Sequence, residues 1–319
     1  MENKKAKLNL IPMSEIAVQP VNWLWYPYIP FGKLTIIQGD PGEGKTTLAL
    51  QIASDCSAGR IPGQEAFPVI YQSAEDGLGD TIKPRLLAAK ADEQKIFCID
   101  ESHDFLTLMD SRLEEAIVKT GARLLILDPV QGYLKDGTDM NRANEVRKHM
   151  KSLASVAERT SCAIILVGHL NKAQGTSSSY RGLGSIDFRA AARSVLLVGR
   201  HRSNRNIRVI VHDKSSLAPE GASKAFSLGT EEGFYWVAGY EDVTADGLLG
   251  GIISDNKTDA AEQLICRMLS SGEMIPCEDI FAAAQEKDIS RRTVNEAKKN
   301  LGNIRSVRQG KGWAWIMDS

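Results

Sequence analysis

The sequence predicts an α/β protein, a mostly parallel sheet with helices on both faces, followed by a small C-terminal unit of winged helix-turn-helix character. Three observations predict it. Six short runs, KLTIIQ, PVIYQS, KIFCID, RLLILD, CAIILVGH and SVLLVG, are rich in Val, Ile and Leu without polar alternation, as strands covered on both faces are. Helix-compatible segments at 45–58, 77–90, 110–120 and 141–160 lie between them, and strands alternating with helices build a parallel sheet. The first of these strands also runs through a glycine-rich turn, GDPGEGKTT, straight into a helical pattern.

In chain order, KLTIIQ leads into that turn, and TTLALQIASDC continues it as a helix. PVIYQS is the next strand and leaves into the acidic turn AEDG. KIFCID, RLLILD, CAIILVGH and SVLLVG follow, and NIRVIVHDK and FYWVAG read as antiparallel strands at one edge. Residues 241–258, rich in Gly and Asp without a period, read as a linker between a domain at 1–240 and a second at 259–319. In the second, DAAEQLICRMLSSGE, PCEDIFAAAQEKD and ISRRTVNEAKKNLG read as three helices, with Ser290 capping the third. RSVRQGKGWAWIMD reads as a hairpin into which Trp313 and Trp315 pack.

A composition of 43% hydrophobic and 25% charged residues excludes extensive disorder. A net charge of −1 excludes whole-molecule attraction to nucleic acid or membrane, so any such binding has to be local. The five cysteines show neither paired nor zinc spacing and read as reduced thiols of a cytoplasmic protein. No apolar run approaches the roughly 18 residues that span a bilayer, so no membrane partner is expected.

Gly39, Asp40, Pro41, Gly42, Glu43, Gly44, Lys45, Thr46 and Thr47 form a phosphate-binding loop of the GxxxxGK[ST] pattern, with the required strand before it and helix after it. Its backbone N–H groups turn inward around a phosphate chain, and the helix N-terminus adds a favourable dipole. Lys45 is expected on the β- and γ-phosphates of ATP and Thr46 on Mg²⁺, with Asp128, at the end of LLILD, as the second metal-side group. Pro129 then occupies the commonest position for a catalytic base. Glu75, after PVIYQS, is the candidate base, on the expectation that its strand lies next to that of the phosphate loop. Asp76 reads as a cap of the following helix.

With a displaced Glu75, WLWYPYIPFGKLT, AED, ILDPVQGYL, VGHLNK and YRGLGSIDFRAAARSVLLV resemble, in order across about residues 20–240, the RecA-like ATPases. Within them the chain looks like the RepA-like branch of hexameric replicative helicases from plasmids and phages. The resemblance implies a homo-oligomeric ring, with nucleotide between subunits, acting on single-stranded DNA. It implies that His169 senses the γ-phosphate, followed by Asn171 and Lys172, and that Arg193 is the finger offered to a neighbour's nucleotide. Two additional residues separate RGLGS from that arginine. Lys214 matches one member of a paired basic finger, but Ser216 replaces the arginine expected two residues later.

Two segments after strand ends, 135–150 and 171–185, could line a pore, and the second carries Lys172, Tyr180 and Arg181 for single-strand contacts. Arg291, Arg292, Lys298, Lys299 and Lys311 make the third C-terminal helix and its hairpin locally basic, as a phosphate-facing surface requires. The alternative function is an ATP-switched DNA-binding regulator or loader without helicase activity.

Overall fold

The computed structural model describes residues 10–134, 143–170, 186–201, 204–229, 233–249, 257–269, 274–287, 289–310 and 312–317. The chain forms two compact units, Met1–Leu249 and Gly250–Ser319.

The first unit opens with a short hairpin, β1 (Trp23–Trp25) and β2 (Ile29–Pro30). Its nine-stranded sheet comprises β3 (Leu34–Gly39), β4 (Val69–Ser73), β5 (Ile96–Phe97), β6 (Leu124–Asp128), β7 (Ala163–His169), β8 (Ser194–Arg200), β9 (Ile207–Ser215), β10 (Lys224–Gly229) and β11 (Gly233–Val237), in the order β11-β10-β9-β8-β3-β7-β6-β4-β5. The pairs from β8 to β5 are parallel, and β9, β10 and β11 join antiparallel at one edge.

Alternate residues of the central strands enter opposite cores, which is why those strands carry no polar face. Ile37, Ile126, Ile165, Val167 and Val198 pack into one layer with Leu48, Ile52 and Cys56 of α1 (Lys45–Ser57) and Leu86 of α2 (Lys83–Ala88). Ile36, Leu125, Leu127, Ile164 and Leu166 pack into the other. There they meet Leu113 and Ile117 of α3 (Ser111–Thr120), Met150 and Leu153 of α4 (Ala143–Thr160) and Phe188 of α5 (Ile186–Ala191). Asp110 starts α3 by accepting from the Arg112 backbone N–H at 2.9 Å. Among the described residues no helix is long and apolar enough to cross a membrane.

Three expectations need correction. The strand of Glu75 is not beside that of the phosphate loop: β3 pairs with β7 and β8, and β7 and β6 separate it from β4. Hydrophobic pattern fixes that a strand is buried, whereas strand order depends on which crossovers the chain makes. The linker expected at 241–258 begins later, because α6 (Ala245–Leu249) buries Leu248 with Leu197 and Val209, against the glycine face of Gly199. KIFCID is strand only at Ile96–Phe97, because the Ile99 backbone instead exchanges hydrogen bonds of 2.8 and 2.9 Å with the Gln72 amide.

The second unit comprises α7 (Lys257–Leu269), β12 (Ile275–Pro276), α8 (Cys277–Gln285), α9 (Arg291–Leu301), β13 (Ile304–Gln309) and β14 (Gly312–Met317), with strand order β12-β14-β13. Ser290 caps α9, its Oγ accepting from the Thr293 N–H at 3.2 Å. Ile265, Ile280, Val294 and Trp315 share its core. Trp313, expected inside, is instead 55% exposed, because it lies two positions from Trp315 and shares its outward-facing neighbourhood with Arg308, its cross-strand partner.

Candidate functional site

The phosphate loop begins where β3 ends. Gly39 is required there because a Cβ would meet the Val198 carbonyl oxygen of the neighbouring strand at 2.2 Å. Gly44 adopts φ +88°, a left-handed conformation that L side chains rarely hold, and sets the backbone that opens α1. Asp40, Pro41, Gly42 and Glu43 form the turn between them, and Lys45, Thr46 and Thr47 are the first residues of the helix.

Lys45 is 5% exposed, and its Nζ donates to the Asp40 carbonyl oxygen at 2.8 Å, closing the loop on itself. Burial pushes its pKa down from the ordinary value, and the carboxylates of Asp128, Asp40, Glu43 and Glu75 act in the opposite direction. Asp128, also buried, ends β6. Burial pushes its carboxyl above the usual carboxylate range, while hydrogen bonds from Tyr71 and Thr46 and the charge of Lys45 favour its ionised form. Tyr71, 1% exposed in β4, donates its phenolic O–H to Asp128 Oδ2 at 2.6 Å. The hydroxyl of Thr46 and the carboxylate of Asp128 therefore stand together as hard oxygen donors, the set that a magnesium–phosphate complex takes.

His169 ends β7 at the register of Gly39, and its Nε2 lies 3.9 Å from Glu75 Oε1. The His169 Nδ1 is buried without a hydrogen-bond partner. Glu75 thus reaches the phosphate-loop side although two strands intervene, because it leaves β4 in the turn that follows Ser73, the partner of Asp128. Asp76 is turned away, paired with Arg85 at 3.3 Å.

Arg193 and Lys214 are placed elsewhere. Arg193 is exposed at the start of β8, where its backbone N–H bonds to Leu34, the first residue of β3. It lies at the end of the sheet opposite the phosphate loop, about 20 Å along a six-residue strand at ~3.3 Å per residue. Lys214 donates to the carbonyls of Arg189 and Ala192 at 2.6 and 2.9 Å, closing the C-terminal end of α5. Lys172, Tyr180, Arg181 and Lys311 lie outside the described residues. Of the other basic candidates, Arg292 and Lys299 are exposed. Arg291 pairs with Glu278, and Lys298 bonds to Ser306 and lies 4.5 Å from the Trp315 ring centroid.

Sequence reasoning missed Tyr71, Arg200 and Arg208. Arg200, at the end of β8, donates from Nη2 to the Gly42 carbonyl at 3.1 Å, and Arg208 is buried against Gly44. A charged residue ending the strand beside the phosphate-loop strand was the available signal. A cavity of about 430 Å³ opens beside Thr47, with Leu50, Leu228 and Phe234 as apolar walls and Arg85 and Lys90 at its rim.

A family model described as an AAA domain, AAA_25, matches residues 13–175. The chain belongs to this AAA domain family. The DNA repair protein RadA of Halalkalibacterium halodurans is 27% identical over 206 residues, 63% of this chain and 41% of that protein. Protein RecA of Nitratidesulfovibrio vulgaris is 27% identical over 153 residues, 46% of this chain and 41% of that protein. The chain spans less than half the length of these curated relatives. A solved helicase ATPase domain matches with a TM-score of 0.50 at 16% identity, covering 64% of this chain and 84% of that one, a likeness of fold. With the sheet order and the phosphate loop described above, the family member is a RecA-like P-loop ATPase.

Tyr71 carries a prediction of its own. Removing a partner that orients a metal-side carboxylate typically costs 10- to 100-fold in metal affinity. Tyr71→Phe is expected to raise about tenfold the Mg²⁺ concentration that half-saturates nucleotide turnover, with metal-free nucleotide binding nearly unchanged. A Mg²⁺ titration of phosphate release measures it, and an unshifted midpoint would show that Thr46 alone holds Asp128.

Proposed function

We propose that the chain is an ATP-driven motor that forms a homo-oligomeric, hexameric ring in the cytoplasm and moves along single-stranded DNA in phage, plasmid or prophage replication. The observation that carries the reading is the convergence of Lys45, Thr46, Asp128, Glu75 and His169 at the carboxyl ends of β3, β4, β6 and β7. Lys45 and the loop N–H groups hold the triphosphate, Thr46 and Asp128 hold the metal, and Glu75 takes a proton from the attacking water. A bound magnesium ion supplies charge neutralisation on the phosphate oxygens. His169 stands beside Glu75, placed to register the terminal phosphate.

The ring reading is supported by Arg193, whose exposed side chain is too far along the sheet to serve its own nucleotide and is free to serve a neighbour's. Lys214, engaged by helix carbonyls, is the lesser candidate for that task. DNA as partner is supported by the names of the relatives and by Arg292 and Lys299, seven residues apart and so on one face of α9.

Phosphate release measured against single-stranded and duplex DNA, with native mass determined with and without nucleotide, tests the proposal. Single strands are expected to stimulate turnover several-fold and nucleotide to favour a six-membered species. A rate indifferent to DNA, with no unwinding of a forked duplex, overturns the motor and leaves the ATPase. Site-specific duplex binding without translocation supports a nucleotide-switched regulator or loader instead.

A further inference from the structure

Glu43 sits inside the phosphate loop, two residues before Lys45, where a carboxylate has the wrong sign for a triphosphate. Its Oε1 lies 3.1 Å from Arg200 Nε, and its Oε2 is buried without a hydrogen-bond partner. Arg200 overhangs the loop because β8 is the direct neighbour of β3, with Leu197 opposite Gln38 and Arg200 three residues further on. The same guanidinium donates to the Gly42 carbonyl at 3.1 Å, so it holds the loop by both backbone and side chain. Behind it Arg208 is buried beside Gly44 and bonds to the Arg205 carbonyl. Two guanidinium groups from β8 and β9 therefore bracket one acid in the cradle.

We infer that Arg200 is a positioning residue for nucleotide binding: it neutralises Glu43 and pins the Gly42 carbonyl, so that phosphate meets the loop's N–H groups without a facing carboxylate. The inference rests on the nucleotide-site reading above and deepens it. As an ion pair the contact contributes little, because Arg200 is 38% exposed and such pairs are screened. Its weight lies in the third charge: a highly charged anion placed within a few ångströms of an unpaired, largely buried carboxylate is repelled far more strongly than in bulk water. A simple anchor for the fold would affect melting but not affinity, and a direct phosphate ligand would act without Glu43.

Equilibrium binding of a fluorescent ATP analogue with Mg²⁺ to the full chain distinguishes these roles. Arg200→Gln is expected to bind about tenfold more weakly, Glu43→Gln about threefold more tightly, and the double variant within about threefold of the unmodified protein. Unchanged affinity in Arg200→Gln overturns the inference. So does a double variant as weak as Arg200→Gln, because neutralising Glu43 does not replace a direct contact. Should Arg200→Gln fail to fold, as judged by circular dichroism, Glu43→Gln decides alone, and affinity no tighter than that of the unmodified protein overturns the inference. No binding by the unmodified protein would overturn the nucleotide-site reading itself.

Discussion

Lys45→Ala is expected to lower ATP turnover by at least about a thousandfold and to weaken ATP binding. Lys45 is the buried cation of the loop, with four carboxylates acting on it: Asp128, Asp40, Glu43 and Glu75. Truncation removes the positive charge and leaves those acids around the triphosphate. Loss of one preorganised donor to transition-state charge already costs about 10²–10³ in rate, and here ground-state binding is lost with it. The Asp40 carbonyl, which accepts from Nζ, opens to water at the exposed edge of the loop, so the melting temperature is expected to change little. Phosphate release, nucleotide binding and a thermal melt measure the three effects. Turnover within tenfold of the unmodified protein would remove Lys45 from the phosphates.

The parallel core was legible because burial on both faces forces apolar residues at successive positions, as in LLIL and AIILV. The edges were less so. In β10, KAFSLG mixes Lys and Ser with apolar residues, and α6 is only five residues long in a stretch punctuated by glycine. Their burial comes from β9, β11 and Leu197, partners that no local pattern names. The position of β4 was misread for the same reason. Its apolar run shows burial, but two later strands insert between it and β3.

The phosphate loop and Asp128 were legible because phosphate and metal chemistry impose residue type and spacing together. Tyr71, Arg200 and Arg208 act through tertiary contacts instead, a phenol across from an aspartate and two guanidinium groups over a turn. Each looks ordinary in its own strand. Lys214 errs in the opposite direction: motif position suggested a finger, whereas its ammonium group satisfies the terminal carbonyls of α5.

Glu75→Gln separates binding from chemistry. Glutamine keeps the size and a hydrogen-bond acceptor but cannot take the proton of an attacking water, and general-base catalysis is typically worth about 10²–10⁴. The other acids of the site have other work. Asp128 accepts from Tyr71 and Thr46, Glu43 faces Arg200, and Asp76 pairs with Arg85. Glu75 remains exposed, with His169 at 3.9 Å as its neighbour, in the position that Pro129 leaves vacant on β6. Turnover is therefore expected to fall by two to four orders of magnitude while ATP binds as tightly or more tightly, one negative charge having been removed near Lys45. Single-turnover hydrolysis and equilibrium nucleotide binding on the same preparation read the two quantities. Hydrolysis at the unmodified rate with ATP bound would mean that the water is deprotonated by another group, and His169, whose Nε2 already faces this carboxylate, would be the next base to replace.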